Sequence, residues 1–306
     1  MLMRQTLPFA SIGVSPGAIQ RSMPRPGRYT ASTRAFGRSI SVSVVHADPA
    51  IAELALGEAL QAALGVDRLA SIERADSALS RLNRDGMLVA PDPRLLAMLG
   101  HAHWLARLTK GAFDVTVAPL LRAPDARART GWRQLAFDEE AVRLAQDGMA
   151  VTLDGLAPGF AADQAMAALR RHGIDHARVD TGALAVCGCD EDGRPWRHEL
   201  PDPREAGRRI ATVVLGGRSF ATSWEHEMRQ HIIDPASGAA PSDLAGTAVL
   251  APTAVMADAL STAFLVMGAV RAHALAASLE GIELMTINRR DVVWKSRGFA
   301  AASKSI

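Results

Sequence analysis

The feature that most constrains the fold is a segment late in the chain, residues 256–268 (MADALSTAFLVMG), which is apolar on almost every side. Thr253 is a suitable N-cap before it and Gly268 a suitable terminator after it, so the pattern predicts a helix over residues 254–267. A helix with no polar face is typical of a protein core. We therefore expect this helix to be buried among other elements.

Three side chains of this core helix carry oxygen, namely Asp258, Ser261 and Thr262. They stand at positions i, i+3 and i+4 and so share one face. A buried carboxylate needs a compensating partner, and residues 254–262 include no Lys or Arg. Two interpretations stay open. Either Asp258 caps a shorter helix while the two hydroxyls bond to carbonyls one turn earlier, or the oxygens hold a hard cation such as Mg²⁺.

The bulk composition excludes several classes of protein. The 306 residues are 48% hydrophobic and 22% charged, which allows a sizeable core. The 34 basic and 32 acidic residues are too balanced to favour a nucleic-acid partner. Cys187 and Cys189 are separated by one residue, which disfavours a disulfide between them, so we expect reduced thiols. Apolar runs of about 18 residues are absent, so we expect no integral membrane segment.

The beginning of the chain predicts a loose extension over residues 1–33, followed by a single domain over residues 34–306. Its short apolar stretch is broken by Pro8, Ser11, Gly13 and Pro16, which is not typical of a secretory signal, and it has no Cys for lipidation. We therefore expect a cytoplasmic protein, with a periplasmic location as the alternative.

Periodicity along the rest of the chain indicates a mixture of elements. Helical spacing continues over residues 50–83, 93–111 and 159–173, whereas alternation predicts strands over residues 39–45, a strand ending near residue 154, and a hairpin over residues 281–299. Helices and strands are interspersed, and several strand pairs are expected to be antiparallel. The fold class predicted is α+β or layered α/β, in one compact domain with mixed antiparallel sheets and packed helices.

Three further segments carry side chains suited to chemistry. Asp114 lies among apolar residues in GAFDVTVAPL (residues 111–120), either facing a ligand or closing an Asx-turn. Residues 152–163 (TLDGLAPGFAAD) predict a strand, a turn and a helix N-terminus, which favours anions unless it is an ordinary connection. His231 in RQHIIDPASG (residues 229–238) is either an acid/base group or a structural histidine.

Taken together and in this order, these motifs resemble those of the ApbE-type FAD:protein FMN transferases. The resemblance runs from about residue 36 to residue 268. It is carried by DSALSRLN (76–83), GAFDVTVAPL (111–120), LDGLAPGFAAD (153–163), HIIDPASG (231–238) and ADALSTAFLVMG (257–268). The resemblance implies an ApbE-like, T-fold-related domain that binds FAD and Mg²⁺. It also implies cleavage of the FAD pyrophosphate and transfer of FMN to a Thr or Ser hydroxyl of an acceptor flavoprotein, with release of AMP.

The resemblance also implies roles for individual residues. The metal ligands are expected to be Gly155, Asp258, Ser261 and Thr262. The residues expected to bind the flavin cofactor are Phe36, Ala112, Phe113, Asp114, Thr152, Pro158 and Ile232. The catalytic residues are expected to be Asp258 and His231, with His231 activating the acceptor hydroxyl or steadying the phosphate. Mg²⁺ suits this chemistry because attack on a pyrophosphate requires its charge to be neutralised.

The sequence departs from the family pattern at several of these positions. A family lysine is replaced by Pro158, an acidic residue by Thr152, and a Gly-Gly-Asp segment reads TGAL (residues 181–184). Two alternatives to the transferase therefore stay open. One is a non-catalytic FAD-binding protein, and the other is a Mg²⁺-dependent FAD pyrophosphatase that yields FMN and AMP.

Overall fold

A large antiparallel sheet forms the centre of the molecule. The computed structural model describes residues 27–121, 123, 126–202, 205, 207–224 and 232–305. Within this part of the chain the main sheet has eight strands in the order β1-β2-β6-β7-β10-β11-β12-β13. These strands are β1 (Gly27–Ala35), β2 (Arg38–His46), β6 (Ala177–Asp180), β7 (Leu184–Cys187), β10 (Ser219–Trp224), β11 (Leu244–Ala251), β12 (Glu283–Asn288) and β13 (Val293–Lys295).

Two smaller sheets accompany the main one, and each has three antiparallel strands. One has the order β14-β9-β8 and the other β3-β5-β4. Their strands are β3 (Met87–Val89), β4 (Leu135–Phe137), β5 (Ala141–Leu144), β8 (Arg197–Pro201), β9 (Arg209–Val214) and β14 (Ser303–Ser305).

The helices occupy mainly one side of the main sheet. Those described are α1 (Pro49–Ala70), α2 (Ala78–Asp85), α3 (Pro93–Leu108), α4 (Ala157–Arg171), α5 (Ala254–Met267), α6 (Ala269–Ala277) and α7 (Arg297–Ala302). Helix α4 packs between α1 and α5, and α5 lies on β10 and β11. The predicted class of layered α+β fold with antiparallel sheets and packed helices is confirmed.

Strand β11 shows how the layers are joined, because all of its residues are buried. Alternate side chains of a strand point to opposite faces of the sheet. Val249 faces the core shared with the helices, whereas Leu250 faces a second core, which β8, β9 and α7 help to build. A strand covered on both faces has no need of polar residues, which explains its uninterrupted apolar sequence.

The continuous helix predicted over residues 50–83 is wrong, because the chain forms two helices there. Helix α1 ends at Ala70, and α2 begins after Ser77, whose hydroxyl accepts a hydrogen bond from Ser80 N at 2.9 Å. A side-chain cap of this kind satisfies an amide that would otherwise lack a partner and so starts a new helix. Helical periodicity on both sides of the break concealed it.

Two other boundaries differ from the sequence-based expectations. Strand β1 includes residues 27–33, which were predicted to be part of a loose extension, because their backbone pairs in register with β2 from Gly27 to Ala35. Residues 1–26 lie outside the described part of the chain. The strand expected to end near residue 154 does not form. The backbone there makes hydrogen bonds to the side chain of Asn83 and not to a neighbouring strand.

Helix α1 is the one described helix with the length and apolar character of a membrane span. Its small residues Ala52, Ala55, Ala59 and Ala63 recur at helical spacing and are completely buried against the other helices. Alanine at these contacts lets α1 approach α4 closely. The core therefore accounts for the apolar face of this helix.

Candidate active site

Helix α5 forms over residues 254–267, as predicted from its terminal residues. Thr253 is the N-cap, and its hydroxyl accepts a hydrogen bond from Met256 N at 3.4 Å. Gly268 follows the helix with a φ of 75°, a conformation that favours glycine. Asp258 therefore lies inside the helix, and the interpretation of Asp258 as the N-cap of a shorter helix is wrong.

The carboxylate of Asp258 lies at the N-terminus of the neighbouring helix α4. Its Oδ2 accepts a hydrogen bond from Gly159 N at 2.8 Å. This approach is possible because residue 159 has no side chain. A Cβ at Gly159 would lie 2.4 Å from the carbonyl oxygen of Ala254 and 2.8 Å from Cβ of Asp258. The positive end of the α4 dipole thus faces the carboxylate.

These partners do not fully compensate the negative charge of Asp258. Burial raises the pKa of Asp258 to about 7, although the hydrogen bond from Gly159 opposes the change. The charge of Arg38 also opposes it, whereas the negative charges of Asp154 and Asp163 raise the pKa further. A carboxylate in this position is stabilised when a cation binds beside it.

The two hydroxyls of α5 have different surroundings, although both approach Ser223 Oγ, Ser261 at 2.8 Å and Thr262 at 3.5 Å. Ser261 is fully buried, and its Oγ donates to the Asp258 carbonyl at 2.8 Å and bonds to Ser223 Oγ at 2.8 Å. Its predicted back-bonding to the preceding turn is therefore observed. Thr262 also faces Gly155, because a Cβ placed there would lie 3.3 Å from Thr262 Oγ1. Asp258 and Thr262 are therefore more accessible than Ser261.

This donor set fits a magnesium ion. Mg²⁺ prefers oxygen ligands and uses one or two carboxylates together with water or phosphate oxygens. Asp258 supplies an undercompensated carboxylate, Thr262 a hydroxyl, and Gly155 a neighbouring backbone segment. The described residues contain no group of three or more His, Cys, Asp or Glu side chains suited to a metal. A site at this place therefore has to combine at most two carboxylates with neutral oxygens.

Most of the residues predicted to bind the flavin meet in one place. They line a small cavity of about 50 Å³ between the 111–120 segment, the turn before α4, the 232–233 segment and α5. The predicted residues in its wall are Ala112, Phe113, Asp114, Thr152, Gly155, Ile232 and Thr262. A second cavity of about 420 Å³ shares Ala112 and Val266 with it. The larger of the two has the volume of an ordinary cofactor site.

Asp114 closes the predicted Asx-turn and also lines the cavity, while its contact with a ligand stays a prediction. Its Oδ1 accepts from Thr116 N at 2.8 Å, which closes the predicted Asx-turn, and from Thr116 Oγ1 at 2.7 Å. Its Oδ2 accepts from Trp132 N at 3.0 Å. Burial raises the pKa of Asp114, and these three hydrogen bonds oppose the change. The carboxylate thus fixes the wall of the cavity that it also lines.

The segment entering the site is held by a side chain from another helix. Asn83 of α2 donates to the carbonyl of Val151 at 2.8 Å and accepts from Val151 N at 2.7 Å. Thr152 N donates to the carbonyl of Val115 at 2.8 Å. The amide of Asn83 therefore pairs with the backbone as a neighbouring strand would, which positions Thr152 without a ladder strand.

Four of the predicted residues in the described part of the chain are absent from the cavity wall, namely Phe36, Pro158, Asp258 and Ser261. Phe36 packs half-buried against the helical core, and its backbone N donates to Asp67 Oδ1 at 2.8 Å. Pro158 is in the first turn of α4, and its carbonyl accepts from the hydroxyl of Thr181 at 2.7 Å. His231 lies outside the described residues, next to Ile232.

Sequence reasoning missed two supports of the site. Asp163 of α4 accepts from Ala254 N and Val255 N, each at 2.9 Å, and so caps α5 together with Thr253. Asn83 was recognised only as part of a motif. The sequence near these residues does not indicate either long-range contact. The one available clue is that Asp163 is a polar residue between apolar positions of α4.

Comparisons with known proteins agree with this geometry. The model of the ApbE family matches residues 36–286. A FAD:protein FMN transferase of Klebsiella pneumoniae strain 342 is 31% identical over 277 residues, which cover 78% of this chain and 79% of that protein. One of Treponema pallidum is 30% identical over 261 residues, covering 71% and 72% of the two chains.

Solved structures extend the agreement to three dimensions. The flavin transferase ApbE of Vibrio cholerae superposes with a TM-score of 0.80 at 25% identity, over 90% of this chain and 99% of that chain. The apo form of the Pseudomonas stutzeri flavinyl transferase ApbE superposes with a TM-score of 0.79 at 28% identity, over 90% and 97%. With its motifs, its fold and the cavity that joins them, this chain belongs to the ApbE family.

Proposed function

We propose that the protein is a Mg²⁺-dependent enzyme that transfers FMN from FAD to a Thr or Ser hydroxyl of an acceptor flavoprotein and releases AMP. The observation that carries the proposal is the cavity in which residues from four of the five motifs meet, including Thr262, one turn of α5 after Asp258. In this reaction the hydroxyl oxygen bonds to the phosphorus of FMN, and the bond from that phosphorus to the AMP portion breaks.

The residues expected to hold Mg²⁺ are Asp258, Thr262 and the backbone at Gly155. When bound there, the ion would neutralise charge on the pyrophosphate. The chain itself orients the carboxylate of Asp258 through the amide of Gly159. Ser261 is better suited to fixing the α5 backbone against Ser223 than to binding the ion directly, because its hydroxyl already has two protein partners.

The remaining wall residues have separate tasks in this proposal. Phe113 and Ile232 are almost completely buried and exclude water from the cavity. Asp114 holds the wall in place through its bonds to Thr116 and Trp132. We assign the acceptance of the hydroxyl proton to His231, because it directly precedes Ile232 in the chain. Replacement by alanine should then abolish transfer while FAD binding persists.

An assay of AMP release separates this function from its alternatives. The purified protein is incubated with FAD and Mg²⁺, with and without a candidate acceptor containing a Thr or Ser flavinylation site. AMP with covalently bound flavin on the acceptor supports the transferase. AMP and free FMN without an acceptor would identify a pyrophosphatase, and intact bound FAD would identify a flavin-binding protein.

A pair of matched variants tests the metal assignment in the same assay. Asp258→Asn keeps the shape of the side chain but removes its charge, so we expect at least a 100-fold loss of AMP release, about 3 kcal/mol at 1.36 kcal/mol per factor of ten. Asp147→Asn, at an exposed position, changes the net charge equally and should have no effect. Normal turnover by Asp258→Asn would refute the metal site.

A further inference from the structure

Arg38 occupies an unusual position at the start of β2. The turn between β1 and β2 contains Phe36 and Gly37, with φ values of 52° and 69°, and it directs the chain back at Arg38. The guanidinium lies directly over Gly182, because a Cβ at Gly182 would be 2.5 Å from Arg38 Nη1. Gly182 itself has a φ of 106°. The φ of Gly182 favours glycine, and the absence of a side chain there leaves room for the guanidinium in this position.

The turn beneath Arg38 is connected to the candidate metal site by two hydrogen bonds. Thr181, next to Gly182, donates to the carbonyl of Pro158 at 2.7 Å. Gly159, next to Pro158, donates to the carboxylate of Asp258 at 2.8 Å. The arginine is therefore placed beside the first turn of α4. Two amides of this turn are already paired, Gly159 N with Asp258 and Phe160 N with the Leu156 carbonyl, so an anion here depends on the guanidinium. Its charge helps to lower the pKa of Asp258, which agrees with this proximity.

The guanidinium of Arg38 remains available to a ligand. The side chain is exposed, and it makes no hydrogen bond or ion pair with any residue in the described part of the chain. By contrast, Arg178 of the adjacent β6 pairs with Asp180 at 3.5 Å. An arginine carries five N–H donors in a planar fork that matches phosphate oxygens. A guanidinium beside Gly182 that has no ion pair with a described residue is suited to an anion.

We propose that Arg38 binds a phosphate group of the nucleotide substrate, at the end of the site formed by the first turn of α4 and the Thr181–Gly182 turn. The inference rests on the proposed function, and it explains how a chain with Pro158 in this turn still offers a cation to a pyrophosphate. Arg38 then determines affinity for phosphorylated flavins, while the cavity around Phe113 receives the apolar part of the ligand.

Equilibrium binding of FAD and of riboflavin, followed by flavin fluorescence, tests this role. Riboflavin has the same ring system without phosphate and is therefore the matched ligand. We expect Arg38→Ala to bind FAD roughly 10- to 100-fold more weakly, as for the loss of a hydrogen bond to a charged group, and to bind riboflavin like the wild type. Arg290→Ala, at an exposed position after β12, removes the same charge and should bind FAD normally.

Two additions separate a phosphate contact from an indirect effect through Asp258. In EDTA the cation is removed, and the ratio between wild type and Arg38→Ala should persist. Adding Pro158→Lys to Arg38→Ala returns a cation to the same turn and should restore part of the affinity for FAD. A ratio that disappears in EDTA would show that Arg38 acts only through the metal site and would overturn the inference.

The remaining outcomes are also decisive. Equal FAD affinity of wild type and Arg38→Ala would refute the contact while leaving the proposed function intact. An equal loss of FAD and riboflavin binding would show a structural role and refute it as well. If the wild type bound no FAD at all, the proposed function would fail and this inference with it.

Discussion

The contact between α4 and α5 at Gly159 gives the sharpest test of how the site is built. In Gly159→Ala the new Cβ would meet the Ala254 carbonyl oxygen at 2.4 Å and the Asp258 Cβ at 2.8 Å. Both distances are shorter than the van der Waals contact distance of a carbon atom, so the two helices must move apart. Overpacking of this kind costs about 1–3 kcal/mol. Separation also lengthens the 2.8 Å hydrogen bond to Asp258, and bonds to charged groups contribute about 1.5–3 kcal/mol.

Helix propensity acts in the opposite direction and defines the control. Alanine is favoured over glycine by about 1 kcal/mol inside a helix. Gly57 lies exposed in α1, and a Cβ there would meet no atom within 4 Å. Gly57→Ala should therefore stabilise the protein by up to about 1 kcal/mol. Gly159→Ala should destabilise it by about 2 kcal/mol or more after the propensity gain is subtracted.

Urea unfolding of both variants measures the two free energies, and calorimetric titration with Mg²⁺ measures the effect on the site. We expect Gly159→Ala to lose roughly tenfold or more in Mg²⁺ affinity, since Asp258 is no longer oriented by the α4 amide. Gly57→Ala should bind Mg²⁺ like the wild type. A Gly159→Ala variant that unfolds at the wild-type urea concentration and binds Mg²⁺ normally would refute the packing argument.

The further predictions concern three side chains, those of Asp258, Asn83 and Asp163. Because the pKa of Asp258 is raised to about 7, Mg²⁺ affinity should rise about tenfold per pH unit up to neutrality and then level off in calorimetric titrations. The metal-free protein should lose stability as the pH rises from about 4 to 7, since the unfolded state releases this proton first, and Asp258→Asn should flatten that slope in urea unfolding. Asn83→Ala leaves the amide and carbonyl of Val151 without partners and should cost about 2–4 kcal/mol by urea unfolding. Asn83→Asp should also be destabilising, because it keeps the acceptor for Val151 N but places a carboxylate oxygen against the Val151 carbonyl. Asp163→Ala removes both bonds to the first amides of α5 and should lower the melting temperature by several degrees, while an unchanged temperature would refute its capping role.

Features set by neighbouring residues could be predicted from the sequence. The bounds of α5 follow from Thr253 and Gly268, and the Asx-turn at Asp114 follows from the side chain and the amide two residues on. The hairpin of β12 and β13 follows from its alternation. Each of these depends on contacts within a few positions, where residue type and spacing contain most of the information. The break between α1 and α2 was not predicted, because the helical periodicity is the same on both sides of it.

The candidate site shows where spacing is not enough. Residues three and four positions after Asp258 share a face with it, but successive residues are about 100° apart around a helix. Ser261 therefore bonds to Ser223 of β10 at 2.8 Å, whereas Thr262 lies 3.5 Å from Ser223 and also approaches Gly155. Which of the two hydroxyls has room for a cation depends on what packs beside α5. That choice has no signal within the helix itself.

The sequence by itself determined the family, the course of the core helix and most of the residues that line the cavity. Only the tertiary structure decided how these residues are supported, through the pairs Gly159 with Asp258, Asn83 with Val151, and Arg38 with Gly182. The physical reason is distance along the chain. Each pair joins segments from 68 to 144 positions apart, and at such separations only the packing of the sheet and its helices brings two groups within a few ångströms.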